Sequence, residues 1–312
     1  MRIEYHRTLI ADQVRNEAFF AALKAVIVPG KSVVADIGAG TGLLGLMASK
    51  LGAREVFLFE TAEVAGVAAA VLKANKAKRC HLIPCHSTEF QDKLAVDVIV
   101  SETLGNYALE ENIIATLADA RQRFLKPGGH VIPDGIIQYV APVVTPRIDE
   151  ELRAWGRVGH GLDLAVAQTM SLNNAYVRHL QPDEILDGCR SAMVWDEVDL
   201  TTETKSKRRG DAEWRFPRPA KIYGFATWWK VELVPGIGFS TGPLSPRTHW
   251  EQLYFPLLAP IDARPSDVVS IDLRSSSSEE GGTDLGWTAV HKNPEGKVIA
   301  RQALELDKGY IP

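Results

Sequence analysis

Two glutamates, Glu102 and Glu111, stand nine positions apart in the stretch SETLGNYALEE. An apolar run, residues 98–100, leads straight into it, so the first acid sits where a buried strand opens into a loop. Carboxylates in that place are either solvated loop charges or a pair that converges on a cation. Paired carboxylates hold a cation through short, charge-assisted hydrogen bonds, and strand ends are where open α/β sheets place their ligands.

A second cluster precedes it: Asp36-Ile37-Gly38-Ala39-Gly40-Thr41-Gly42, between an apolar run and a helical pattern. Glycines there let the backbone turn tightly and approach a ligand beside a helix N-terminus with free N–H groups. The next strand-like run, EVFLFE, ends in Glu60, placed to accept hydrogen bonds from ribose hydroxyls. An acid, a glycine turn and a second-strand acid together point to an adenosine-containing ligand. The Gly-x-Gly-x-x-Gly pattern of NAD and FAD proteins would want glycine at position 43, which is Leu43. S-adenosylmethionine has no pyrophosphate to cradle, and a Gly-x-Gly-x-Gly turn after an acid suits it. It is the expected cofactor.

These residues need a scaffold, and the first half of the chain reads as one. SVVADIG, EVFLFE, CHLIPC, VDVIVSE and GHVIPD are strand-like; GLLGLMASKLGA, AGVAAAVLKANKA and IIATLADARQRFLKPGG are helix-like, the last with a glycine stop. This alternation predicts a mostly parallel, Rossmann-like sheet over 24–133, preceded by an N-terminal helix over 1–23. From 134 to 312 the runs become β-rich with Gly, Pro and Ser turns, which suits an antiparallel, barrel-like domain. Residues 149–187 lack period-two alternation and read as a helical insertion. SSSSEEGG reads as a flexible turn, KSKRRG as a solvated hairpin loop, and of Trp228 and Trp229 one faces the core and the other a partner surface or the inserted segment.

Bulk properties narrow the class. A 46% hydrophobic, 24% charged chain of 312 residues is that of a globular protein with room for two domains. No apolar run approaches the ~20 residues of a membrane span, and no apolar signal core opens the sequence. Three cysteines argue against a disulfide framework and for a reducing compartment, so a cytoplasmic location is expected. With net charge −4, phosphate-driven nucleic-acid binding is not expected. Cys80, His81, Cys85 and His86 resemble metal ligands, but alternation along one strand keeps four side chains from converging; no metal is expected.

Nearly the whole chain resembles the protein arginine N-methyltransferases. VVADIGAGTGLLGLMASKLGAREVFLFE is similar to their cofactor segment, SETLGNYALEE to their double-glutamate loop, and FSTGPLSPRTHWEQLYF carries their Thr-His-Trp loop at Thr248, His249 and Trp250. The resemblance implies methyl transfer to an arginine guanidinium gripped by Glu102 and Glu111. It adds His249 with Asp12 as a catalytic or tethering pair, and it makes the 149–187 insertion a dimerisation arm. His6, Arg15, Asp36, Gly38, Gly40, Gly42, Glu60 and Glu89 form the implied cofactor set. Thr103, Leu104, Asn106 and Trp250 form the implied substrate slot, and Pro133 falls where the family joins its domains through a proline. The implied substrate is an arginine-containing protein or peptide. Free L-arginine or another small guanidine is a second reading, and a catalytically silent dimeric scaffold that retains cofactor binding a third. Two departures bear on the substrate: only five residues precede His6, where the family carries an aromatic lid helix, and Thr103, Leu104 and Asn106 replace a more aromatic loop.

Overall fold

The computed structural model describes residues 3–278 and 280–308. Two helices, α1 (Ile3–Ala11) and α2 (Gln13–Val26), lead into the sheet. Asp12 separates them: its backbone is extended and its carboxylate accepts the Arg15 N–H at 3.0 Å, capping α2. Then follow β1 (Val33–Ile37), α3 (Leu43–Lys50), β2 (Glu55–Phe59), α4 (Ala65–Ala74), β3 (Cys80–Ile83), β4 (Val96–Ser101), α5 (Ile113–Phe124) and β5 (Leu125–Ile132). The strands pair in parallel in the order β3-β2-β1-β4-β5. Every residue of β1 is buried, as expected for a central strand covered on both faces. The chain winds outwards from β1 to β3 and returns to the other side at β4. This is the topological switch where such sheets open a crevice, and the Ser101 hydroxyl donates to Ile37 O across it at 2.9 Å.

The glycines of KPGG do not stop a helix. Helix α5 ends at Phe124 and β5 begins at once, with Gly128 (φ 75°) and Gly129 inside the strand where its register against β4 shifts. A Cβ on Gly129 would meet the Leu125 side chain at 2.6 Å, so the bulge, not a cap, requires glycine.

The Ile132–Pro133 peptide is cis, and the chain then turns antiparallel. Elements β6 (Gly135–Val143), α6 (Arg147–Leu152), α7 (Ala165–Leu172), β7 (Tyr176–Arg178), β8 (Met193–Asp199), β9 (Lys207–Arg215), β10 (Ala220–Val234), β11 (Ile237–Ser240), β12 (Gln252–Ala263), β13 (Val268–Ser278), β14 (Gly282–Lys292) and β15 (Val298–Glu305) follow. They form a six-stranded sheet, β7-β12-β10-β6-β8 with β11 on β10, and a four-stranded sheet, β15-β14-β13-β9. The two sheets share a core in which Trp214 meets Phe225 at 5.6 Å and Phe255 meets Trp287 at 4.7 Å. Residues 149–187 hold most of α6, all of α7 and the short strand β7. Ile148, Leu152 and Leu172 pack with Trp228 in a satellite core, while Trp229 enters the main one.

Two sequence expectations are corrected. Ser275–Ser278 belong to β13 rather than to a turn, and KSKRRG contributes its last four residues to β9 rather than to a solvated loop. Arg208 is largely buried there and donates to Asp196 and Glu203, with Asp196 also held by Gln138. Pairing between β9 of one sheet and β8 of the other, with Glu203 from the connection, lets this charge leave water. Arg208→Ala strands the buried Asp196 carboxylate and should lower unfolding stability by about 3–5 kcal/mol; a denaturant midpoint equal to the parent's would refute that role.

Candidate active site

A cavity of about 430 Å³ opens at the carboxyl ends of β1 to β4. Its floor is the glycine turn. Gly38 and Ala39 donate to Phe59 O at 3.0 and 2.9 Å, and Gly38, Gly40 and Gly42 have φ of 71°, 56° and 84°. A Cβ on Gly38 would lie 2.8 Å from the Thr103 methyl and one on Gly40 3.3 Å from the His6 ring, so glycine lets both neighbours close in. Gly42 does not line the cavity; it caps α3 and packs on Leu58.

Four carboxylates face this space: Asp36, Glu60, Glu102 and Glu111. Asp36 is 1% exposed; its Oδ2 accepts Gly45 N–H at 2.8 Å, and its Oδ1 has no partner. Burial, reinforced by Glu60 and Glu102 against the pull of Gly45 N–H and Arg15, pushes its pKa up to about 7. Glu60 accepts from Gly40 and Ala62, both at 2.8 Å, which fixes its carboxylate at the end of β2. Glu111 is exposed at the rim; desolvation of its carboxyl, then the charges of Glu102, Glu110 and Glu60, raise it to about 7. His6 is held below the usual histidine range by burial, which outweighs the attraction of Glu60 and Glu102. Its Nε2 and the Ser87 hydroxyl, like Asp36 Oδ1, are buried without partners. Three orphaned polar atoms around one cavity are what a polar ligand would satisfy.

Arg15 spans the site. Its Nε donates to Glu102 Oε2 at 2.7 Å and its Nη2 to the same oxygen, while Nη1 reaches Asn16. The residue expected to hold the cofactor is thus paired with a residue expected to hold the substrate.

The loop after β4 is hung from the β domain. Indole Nε1 of Trp250 donates to Leu104 O at 2.9 Å and that of Trp229 to Gly105 O at 3.1 Å, while Asn106 Oδ1 accepts Glu251 N–H at 2.9 Å. Of the expected substrate slot only Thr103 lines the cavity. Leu104 and Trp250 are core residues, each 4% exposed, and Asn106 is a tie to the following strand, because the loop turns its apolar side into the domain junction. Asp12 Oδ2 accepts the backbone N–H of His249 at 2.8 Å and lies 2.7 Å from its Nδ1. Burial alone would raise the Asp12 pKa, but the hydrogen bonds from His249 and Arg15 hold it below the usual range. Neither Asp12 nor His249 lines the cavity, so the pair joins the N-terminal helices to the β domain. Glu89 is also outside: it is exposed on a single 3-10 turn, and the wall there is Cys85, His86 and Ser87. Arg123 sets that turn by donating to Ser87 O and to Phe90 O at 2.6 Å. Ser87, Trp229 and Arg123 were not singled out as site residues from sequence; their only signal is proximity in the fold. His81 pairs with Glu55 at 2.6 Å, and His86 caps the 3-10 turn.

Comparison with known proteins gives this arrangement a family. Residues 136–286 match the arginine methyltransferase oligomerization subdomain, and residues 18–155 match the ribosomal protein L11 methyltransferase model. Protein arginine N-methyltransferase 1 of Dictyostelium discoideum is 31% identical over 264 residues, covering 80% of this chain and 75% of that protein. Protein arginine N-methyltransferase 6 of Danio rerio is 29% identical over 299 residues, covering 91% and 84%. The chain belongs to the protein arginine N-methyltransferase family. Among solved structures, the Trypanosoma brucei PRMT1 enzyme–prozyme heterotetrameric complex with AdoHcy aligns with TM-score 0.86 at 22% identity, covering 97% of this chain and 98% of that one. Arabidopsis thaliana protein arginine methyltransferase 10, solved in an open conformation, aligns at 0.79 with 22% identity and 98% of both chains.

The family's cofactor, S-adenosylmethionine, fits the lining. The cavity runs from β4 past β1 and β2 to β3, three strand spacings or about 14 Å, with Glu60 between the reactive end and the Ser87 wall. Asp36, His6 and Ser87 supply polar atoms that lack partners. The proton on Asp36 gives a test. Folded protein keeps it up to about pH 7, whereas an unfolded chain loses it near 3.8, so ligand-free stability falls as pH rises through that window. Asp36→Asn should therefore gain melting temperature over the parent between pH 4 and 7 and level off above; a pH-independent gap would contradict the buried, protonated acid.

Proposed function

We propose that this chain transfers a methyl group from S-adenosylmethionine to a terminal guanidinium nitrogen of arginine in a protein or peptide. The observation that carries the reading is that Glu102 already receives a guanidinium, that of Arg15, through Nε and Nη2, inside a cavity shared with Glu111. A substrate arginine would present the same fork. Bound S-adenosylmethionine supplies an electrophilic methyl on a sulfonium. Glu102 is freed for substrate when Arg15 turns to another carboxylate, and the donor's amino-acid end provides one.

Guanidinium charge is delocalised over three nitrogens and its pKa exceeds about 12, so it is a poor nucleophile. Two carboxylates on one side hold the positive charge away from the attacking nitrogen and fix its direction. Glu111, protonated to about pH 7 in the free site, ionises when a bound cation offsets its desolvation and the like charges around it. After transfer it stands where it can take the released proton and pass it to solvent. The relatives this chain matches are named for protein arginine, which favours a peptide-linked arginine over the free amino acid. A silent scaffold that only binds the cofactor would not need Glu102 and Glu111 together in one cavity.

The reading extends to assembly and place. The arm exposes Trp155, Leu162, Val166 and Met170 at 39%, 61%, 72% and 52%, and a second copy would cover such a surface. A homodimer is proposed on that basis, and a cytoplasmic location on the three unpaired cysteines.

Glu102→Gln should lower turnover of an arginine-rich peptide at least about a hundredfold while cofactor affinity stays within twofold, read by mass analysis and calorimetry. Near-normal turnover would remove Glu102 from the mechanism, and methylation of free arginine alone would reassign the substrate. Val166→Asp combined with Met170→Asp should yield a monomer by light scattering at micromolar concentration; a parent that is already monomeric refutes the arm.

A further inference from the structure

Among the described residues no group is hydrogen-bonded to the Glu111 carboxylate. Its direction must come from its backbone. On its C-terminal side Asn112 takes the left-handed conformation, φ 56°, at the start of α5. On its N-terminal side, the carbonyl of Glu110 shares a rigid peptide plane with the Glu111 nitrogen. That carbonyl accepts a hydrogen bond from Thr283 Oγ1 at 3.0 Å. Thr283 opens β14, on the far side of the hairpin from the serine run, and its hydroxyl lies 3.1 Å from Ser277 Oγ.

The serine run takes part. Ser275 and Ser277 alternate onto one face of β13, 7% and 6% exposed, and Ser275 Oγ meets the Tyr107 hydroxyl within the same loop. Glu110 folds its own carboxylate back to Tyr107 N–H at 3.2 Å, and a Cβ on Gly105 would lie 2.0 Å from that carboxyl carbon. The hairpin therefore grips the loop at two points, one on each side of the segment that leads into Glu111.

We propose that the β13–β14 hairpin, through the Thr283 hydroxyl, is the positioning device that aims Glu111 at Glu102. The inference rests on the catalytic reading above for its consequence, though not for its geometry. The charged groups facing Glu111 are Glu102, Glu110 and Glu60, with Asp36, Arg15, His6 and His86 lining the same cavity. Releasing the peptide plane lets the carboxylate swing outwards to water, which relieves its desolvation.

Thr283→Val keeps shape and removes the hydroxyl; Thr283→Ser keeps the hydroxyl. With a peptide substrate, the valine variant should lose about 5–10-fold in kcat, the effect of one hydrogen bond, with cofactor affinity unchanged, and serine should restore most of it. The acidic limb of kcat/KM should move to lower pH in the valine variant and stay in place in the serine variant. Followed without turnover, the carboxyl carbon of Glu111 in selectively ¹³C-labelled protein, assigned with Glu111→Gln, should titrate near 7 in the parent and lower in Thr283→Val. Unchanged titration overturns the proposal whatever the activity, as does lost kcat with an unmoved limb. Parent protein that methylates nothing overturns the catalytic reading instead, while the titration still decides the positioning.

Discussion

Four carboxylates converge where β1 and β4 part, and the rest of the structure is arranged around keeping them there. Asp36 is 1% exposed and Glu111 carries a carboxyl raised to about 7, so the ligand-free site holds negative charge under strain and protons that a solvated acid would have lost. Such a site favours cations. A sulfonium and a guanidinium each relieve the mutual repulsion, and both cationic reactants of the proposed reaction are drawn to the same cavity by the same field. Arg15 is the internal cation that offsets part of this charge, and its contact with Glu102 shows how the pocket receives a guanidinium.

Holding like charges together requires rigid surroundings, and these come from the antiparallel domain. Two indole N–H groups, of Trp229 and Trp250, take successive carbonyls of the loop between the glutamates, while Asp12 and His249 fasten the N-terminal helices to the same domain. The aromatic side of this junction is a continuous cluster: Trp229, Trp250 and Phe239 have ring centroids within 5.0 to 5.8 Å. Burying such large rings supplies free energy that loop hydrogen bonds alone would not. The second domain is therefore part of the site although none of its described residues lines the cavity.

Departures from the expected pattern have physical causes. The family resemblance offers Trp250 as slot lining, with a core tryptophan an equal reading; its apolar surface and one N–H are both satisfied at the junction, which makes it core. The family resemblance implies Glu89 as a cofactor acid; a 3-10 turn held by Arg123 directs it to solvent. The basic and serine-rich runs looked like loops because composition was read without partners. Asp196 on the facing sheet and Glu203 from the connecting loop make Arg208 a largely buried strand residue, and Tyr107 and Thr283 give the serines hydroxyl partners.

What the sequence by itself determined is local and periodic. The strand–helix alternation, the glycine turn after Asp36, the acid closing β2 and the nine-residue spacing of the glutamates all depend on residues close in the chain, where backbone preference and hydrophobic period decide. Tertiary structure decided which side chains share a space. It placed Thr103 in the cavity and Leu104 in the core one residue later, made Asp12 and His249 a tether outside the site, and brought Ser87, Arg123 and Thr283 to positions no local pattern marks. The reason is one of range: spacing along a strand fixes which face a residue takes, whereas the partner waiting on that face comes from a segment as many as 237 residues away.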